Sequence, residues 1–215
     1  MKQILVLAST NKGKTREIQD LLKDFPLDIK NLTDFGPIPP VIEDGATFDD
    51  NAYKKAAFTA RVLGYPAMAD DSGLCVEALD GAPGVRSARY AGDHATDADN
   101  VAKLLKDLAP HDNRKAAFEC VISIAVPTGA ALTYEGRCEG IITREPAGDN
   151  GFGYDPLFFF PAFGKTFAQV PMEEKARVSH RGIALRQVAE EMDKILEWID
   201  INIPRFERVP CKDEE

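Results

Sequence analysis

The chain has 215 residues, of which 44% are hydrophobic and 28% charged, and a formal net charge of −9. This is the composition of a globular protein long enough to bury a sizeable core, and its acidic balance argues against a broad nucleic-acid-binding face, which needs a basic surface. No apolar run is long enough to cross a membrane and nothing resembles a signal peptide, so a cytoplasmic protein with no membrane partner is expected; the cysteines Cys75, Cys120, Cys138 and Cys211 form no C-x-x-C pair, which argues against a zinc site and for reduced thiols.

In chain order, Ile4-Leu5-Val6-Leu7-Ala8 is a continuous apolar run that reads as a buried strand. A polar loop from Ser9 to Lys14 follows. Ile18, Leu21, Leu22 and Phe25 then recur at helical spacing until Pro26 ends the pattern. Backbone N–H groups at a helix start attract anions, so Ser9, Thr10, Asn11, Lys12, Gly13 and Lys14 outline a phosphate cradle. The stretch is also one residue from a Walker A loop, with Ala8 in place of the first glycine ahead of Gly13-Lys14-Thr15. A P-loop NTPase or kinase acting on the γ-phosphate is therefore a rival on local pattern, although the loop interior lacks a glycine that would let the backbone wrap phosphate.

Pro37, Pro39 and Pro40 mark a connection. Glu43-Asp44-Gly45-Ala46-Thr47 then precedes a helix expected to begin at Thr47, with Asp50 three residues on, and to run to about Leu63 before Gly64. Thr47, Asn51 and Lys55 share one face of that helix, and Lys54 points about 100° away. A carboxylate ahead of this face and a lysine on it suit a metal–phosphate site; a capped helix with solvated charges is the alternative. Next comes Ala67-Met68-Ala69-Asp70-Asp71-Ser72-Gly73-Leu74, an apolar strand running into two carboxylates, a hydroxyl and what reads as a glycine turn. Adjacent carboxylates repel, so burying both calls for a compensating cation, for which a hard divalent metal with oxygen ligands is the usual choice.

Thr96 precedes a helix carrying Val101, Leu104, Leu105 and Leu108. Phe118 to Val126 reads as a strand, and Pro127-Thr128-Gly129 as a turn into another near 131–135. Gly151-Phe152-Gly153-Tyr154-Asp155-Pro156 is either a bent platform, with a ring to stack on a base and Asp155 to accept its hydrogen bonds, or a turn before a strand over 157–160. Val188, Met192, Ile195 and Ile199 define a final helix that Ser179 can cap. His180 and Arg181 fall in its first turn, where the dipole disfavours cations, so an anion or acceptor ligand is expected nearby. His94 and His111 have no comparable setting. Strands and helices alternate with at least one hairpin-like pair, which predicts an α/β fold with a mixed sheet, and the chain closes on a polar tail from Arg205.

Taken in order, Ser9–Lys14, Glu43-Asp44-Gly45-Ala46-Thr47-Phe48, Ala69–Leu74, Gly81-Ala82-Pro83-Gly84, Ser87-Ala88-Arg89-Tyr90, Thr143-Arg144-Glu145-Pro146, Gly151–Pro156 and Ser179-His180-Arg181-Gly182 resemble the inosine triphosphatase family, the noncanonical purine nucleoside triphosphate pyrophosphatases. The resemblance runs from Ile4 to about Leu196. One departure is Ser9-Thr10, where bacterial relatives often have Thr-Gly. The resemblance implies a single inosine triphosphatase-like α/β domain over residues 1–200, with two lobes around a long mixed β-sheet and the active-site cleft between them, and a polar tail over 201–215. It also implies a homodimer, a Mg2+ requirement and the reaction NTP + H2O → NMP + pyrophosphate on inosine, deoxyinosine and xanthosine triphosphates, which keeps these nucleotides out of DNA and RNA.

By the same resemblance Glu43 and Asp71 hold Mg2+ with Asp70 in support, and Asp71 accepts the proton of the attacking water. Ser9, Thr10, Asn11, Lys12, Gly13, Lys14 and Lys55 grip the phosphates, and Ser72 contacts the nucleotide. Phe152, Gly153, Tyr154 and Asp155 form the base side, closed by Lys175, His180 and Arg181. Hypoxanthine and xanthine carry a carbonyl at C6 where adenine carries an amine, so donors among Lys175, His180 and Arg181 would be left unpaired by adenine. A sensor that binds a nucleotide without cleaving it is the non-enzymatic alternative.

Overall fold

The structure is a computed structural model, and it describes residues 2–9 and 12–203. Thr10, Asn11, Cys211 and the tail from Arg205 lie outside the described residues, and Lys12 and Gly13 are described in their backbone only. The elements are β1 (Gln3–Leu7), α1 (Lys12–Leu22), β2 (Leu27–Asn31), α2 (Phe48–Leu63), β3 (Ala67–Val76), α3 (Asp97–Asp107), β4 (Lys115–Ala125), β5 (Ala131–Ile142), β6 (Phe158–Phe160), β7 (Lys165–Thr166), α4 (Met172–Val178), α5 (His180–Glu190) and α6 (Met192–Asn202).

The strands form a seven-stranded sheet in the order β2-β1-β3-β4-β5-β6-β7. β1 is parallel to both β2 and β3, as helical crossovers through α1 and α2 allow. The pairs β5–β6 and β6–β7 are antiparallel, so the sheet is mixed, as the alternation of elements predicts. The chain divides into two compact units, one of Met1–Asp71, Val121–Tyr134 and Ala184–Glu215, the other of Ser72–Cys120 and Glu135–Ile183.

In the first unit, Ala52, Ala56, Ala57, Ala60 and Leu63 of α2 are buried, and the cluster of Val6, Ala8, Ala67 and Ala69 packs with the alanines. Small side chains let the helix lie close to the strands. The start of α2 is fixed by a reciprocal pair: the Asp50 N–H donates to Thr47 Oγ1 at 3.1 Å, and the Thr47 N–H to Asp50 Oδ2 at 3.1 Å. Its end is fixed by Gly64 at φ 76°, whose N–H donates to the Ala60 carbonyl at 2.9 Å. The second unit is built instead on aromatics: Phe118, Phe158 and Phe167 are buried with Leu74, Val76, Leu104, Leu108, Tyr154 and Leu157.

Four features differ from the expectations. Gly73 makes no turn; β3 continues through it to Val76, because Leu74 and Val76 give the strand a buried face beyond the carboxylates. β5 runs well past Glu135 to Ile142, with Tyr134, Gly136, Cys138, Gly140 and Ile142 buried on alternate positions. The final helix is two helices, α5 and α6, broken at Glu191, where φ is −103° and ψ 8°. α1 stops at Leu22 and leaves Phe25 outside it.

Candidate active site

Asp70 and Asp71 lie in the middle of β3 at 3% and 9% exposure. Successive strand residues face opposite sides of a sheet, so the pair is split rather than stacked. Asp70 Oδ2 sits 2.9 Å from the Lys14 ammonium of α1. Asp71 faces α2, where the Asn51 Nδ2 donates to its Oδ2 at 3.1 Å and the Lys55 Nζ donates to its Oδ1 at 3.2 Å. The Lys55 ammonium also donates to Glu43 Oε2 at 2.9 Å and to the Asp70 carbonyl at 2.8 Å. Asn51 and Lys55 therefore share one working face, whereas Thr47 is the exposed N-cap and its hydroxyl is spent on the Asp50 N–H. Lys54, off that face, makes an exposed pair with Asp44 at 2.7 Å, as a solvated charge should.

Charge and burial set the protonation of this cluster. Burial pushes the Asp71 carboxyl above its ordinary value, and the Glu43 charge adds to that, against the opposing pull of Lys55, the Asn51 bond and Lys14. Burial alone would disfavour the Lys55 ammonium, but Asp71, Glu43 and Asp70 outweigh it and raise its pKa, so the side chain remains a cation. A buried carboxylate with a raised pKa is suited to taking a proton from water.

Glu43 Oε2 and Asp71 Oδ1 thus converge on one cationic position. That fits a hard divalent ion of the kind that takes one or two carboxylates and completes its shell with water and phosphate oxygens. Among the described residues no three His, Cys, Asp or Glu side chains gather into a metal-binding group. Ser9 begins the loop that leaves β1 next to β3, where the Ala8 N–H donates to the Met68 carbonyl at 2.8 Å. α1 already begins at Lys12, so Gly13-Lys14-Thr15 lies inside its first turns. Only residues 8–11 remain between β1 and the helix, too few for a phosphate-wrapping P-loop.

In the second unit, Ser72 follows Asp71 along β3, and the Arg181 Nη2 donates to its Oγ at 3.0 Å. Ser179 does cap a helix: its Oγ accepts from the Gly182 N–H at 3.1 Å at the start of α5. His180 and Arg181 occupy the first turn of α5 and are both buried. The His180 ring stacks on Phe118 with centroids 4.8 Å apart and planes at 14°. A side chain at Gly182 would run into the Ala176 carbonyl, so the corner between α4 and α5 requires glycine.

The Gly151–Pro156 stretch is the turn that its sequence offered, and Asp155 accepts hydrogen bonds from within it. It is a tight turn, with Gly151 at φ 78° and Gly153 at φ 61°. Asp155 Oδ2 accepts from the Phe152 N–H at 3.0 Å and from the Lys175 ammonium. The buried Tyr154 hydroxyl donates to the Ser87 carbonyl at 2.9 Å, and burial, with Tyr90 and Asp97 adding, pushes its pKa up. What the turn presents outward is the Phe152 ring, 41% exposed and backed by the Lys175 ammonium 5.0 Å from its centroid. Asp97, at the start of α3, holds the turn from outside by accepting from the Gly153 N–H at 2.7 Å.

The sequence reading placed Asn51 on the right helix face but gave it no role, and it gave none to Gly45 or Asp97. The i, i+4 spacing of Thr47, Asn51 and Lys55 was the available signal for Asn51. The Asp97–Gly153 contact spans 56 positions and left no local trace.

Comparison with known proteins gives a consistent result. The chain matches the Ham1 family over residues 5–191. It is 59% identical over 200 residues to a dITP/XTP pyrophosphatase of Desulfotalea psychrophila, covering 93% of this chain and 90% of that one. To a dITP/XTP pyrophosphatase of Syntrophobacter fumaroxidans it is 61% identical over 196 residues, covering 91% and 84%. Among solved structures, a HAM1 protein from Coxiella burnetii matches with a TM-score of 0.85 at 44% identity, covering 89% of this chain and 99% of that one.

Proposed function

The chain belongs to the Ham1 family, and from that premise we propose that it is a nucleoside triphosphate pyrophosphatase. Its substrates in this reading are inosine, deoxyinosine and xanthosine triphosphates, which it converts to the monophosphate and pyrophosphate and so withholds from DNA and RNA. The resemblance read from the sequence motifs agrees with the family match and with the relatives' names. The observation that carries the chemistry is the convergence of Glu43 and Asp71, the latter a carboxyl of raised pKa, on one cationic position.

Held by Glu43 and Asp71, Mg2+ would neutralise charge on the triphosphate and help orient it. Asp71 takes the proton from the water that attacks the α-phosphorus, and the bond from that phosphorus to the bridging oxygen breaks, releasing pyrophosphate. Lys14 and Lys55, with Ser9, Thr10, Asn11, Lys12 and Gly13, bind the phosphate oxygens. Lys55 balances the two carboxylates in the structure as it stands, and turns to phosphate once another cation balances them. Asp70 keeps Lys14 in place. Ser72, steadied by Arg181, contacts the nucleotide; Phe152 stacks on the base, with Gly153, Tyr154 and Asp155 shaping its turn. Lys175, His180 and Arg181 are the donors that this reading assigns to a carbonyl at C6. A cytoplasmic homodimer completes the reading; it rests on the family resemblance, and light scattering of the purified protein tests the dimer.

Incubation with Mg2+ and either ITP or ATP, followed by identification of the products, tests the function. IMP with pyrophosphate from ITP, and little product from ATP, is expected. Orthophosphate with a diphosphate would return the P-loop reading, and binding without product would make the protein a sensor.

A further inference from the structure

Asn51 is 1% exposed, and both ends of its amide are engaged. Its Oδ1 accepts from the Gly45 backbone N–H at 2.8 Å, and its Nδ2 donates to Asp71 Oδ2 at 3.1 Å. The amide has one orientation compatible with both neighbours, because a backbone N–H only donates and a carboxylate only accepts. By holding Oδ2, Asn51 leaves Asp71 Oδ1 turned toward the position shared with Glu43 Oε2. Gly45 lies two residues after Glu43, so a single side chain ties the arm that carries one carboxylate to the head of the other.

Gly45 has its own part in this. A Cβ at that position would lie 2.6 Å from Asn51 Oδ1 and 2.6 Å from Asp50 Cβ. Any side chain would have to push the amide away or lift the arm, and either would break the link. The backbone at Gly45 is thus closed onto Asn51 as tightly as glycine alone allows.

We infer that Asn51 is a positioning residue for the reaction: through its bonds to Gly45 and Asp71 it sets the spacing between the Glu43 and Asp71 oxygens, and Gly45 is the second half of the same device. The inference rests on the roles proposed above for Glu43 and Asp71. It assigns Asn51 no contact with substrate. Partners that orient carboxylates at a metal site typically contribute 10–100-fold in metal affinity or activity, because the oxygens must be held within fractions of an ångström.

Two variants test it by different routes. Asn51→Leu is close in size and removes both bonds; Gly45→Ala keeps the amide and presses on it. For each folded variant, kcat with ITP and Mg2+ should fall about 10–100-fold while KM changes less than about threefold, and Mn2+ affinity, read by electron paramagnetic resonance without nucleotide, should fall about tenfold. Wild-type kcat per folded molecule together with wild-type Mn2+ affinity, even at a lower melting temperature, would show a purely structural role and overturn the inference. Gly45→Ala decides the matter where Asn51→Leu does not fold. Asp71→Asn, measured alongside, separates the two levels of the argument. Wild-type turnover by Asp71→Asn would remove Asp71 from the mechanism and with it the premise of this inference, whereas an inactive Asp71→Asn beside normal Asn51→Leu and Gly45→Ala would overturn this inference alone.

Discussion

Lys55 contacts two carboxylates and a carbonyl with one ammonium, and most of what the first unit's cluster can do follows from that. Removing one member of a buried ion pair leaves the other uncompensated, at a cost of about 3–5 kcal/mol. Lys55→Met should therefore lower the melting temperature, and added Mg2+ should recover more of the loss than it adds to the wild type, because it restores a cation between Glu43 and Asp71; differential scanning calorimetry with and without Mg2+ checks this. Asp71 makes a pH prediction. It must be ionised to take a proton, and its pKa is raised, first by burial. Activity should therefore fail on the acid side at a higher pH than a solvated aspartate would give, which the kcat/KM profile reads directly. Cys75 and Cys138 behave oppositely to reactive thiols. Burial pushes the Cys138 thiol up to about 12. Its thiolate fraction near pH 8 should be roughly a thousandfold below that of an unfolded cysteine, so maleimide labelling followed by mass spectrometry should find it protected until denaturant is added.

Among the elements, α2 was the most legible in sequence because its signals are local. The Thr47–Asp50 pair fixes its start, Gly64 its end, and the 3.6-residue repeat its working face. β5 was legible only in its first half. Its inward positions Gly136 and Gly140 are glycines, between Glu135, Arg137 and Glu139, so the two-residue alternation was present in burial but not in hydrophobicity. Gly73 misled in the other direction: glycine after two aspartates has the composition of a turn, and only tertiary packing of Leu74 and Val76 keeps the strand going. With a turn expected there, the different jobs of Asp70 and Asp71 came from the family resemblance and not from strand alternation, which applies only to residues inside a strand. The Phe152 turn shows the same limit. Its glycines and aromatics were visible, but its anchor to α3 through Asp97 was not. Asp97→Ala should loosen the turn and raise KM for ITP about threefold, with a smaller change in kcat, as expected when a group that orients substrate is lost without touching the reacting atoms; steady-state kinetics checks the split.

At the scale of the whole molecule, an acidic protein with a net charge of −9 is assigned a polyanionic substrate. The lysines that would receive the phosphates are already paired, Lys14 with Asp70 and Lys55 with Glu43 and Asp71. Little unbalanced positive charge remains at that cluster, so a divalent ion should be needed for tight binding as well as for turnover. A non-hydrolysable ITP analogue should bind at least about tenfold more tightly with Mg2+ than after EDTA treatment, in line with the weight of carboxylate-held ions in phosphate sites; titration calorimetry measures it.

The mid-strand position of the two aspartates also constrains chain length. A strand repeats every two residues, so losing a single residue ahead of β3 would shift its phase and exchange the faces of all that follows. Asp71 would then take the place of Asp70 toward Lys14, Ser72 would take the place of Asp71 opposite Lys55, and Asp70 would fall two residues short of it. The connection Gly64–Pro66 sets that phase, with the Pro66 carbonyl accepting from the Val6 N–H at 2.9 Å. Substitutions in this short connection should be tolerated far better than a one-residue deletion, which would put a serine opposite Lys55 without altering either acid.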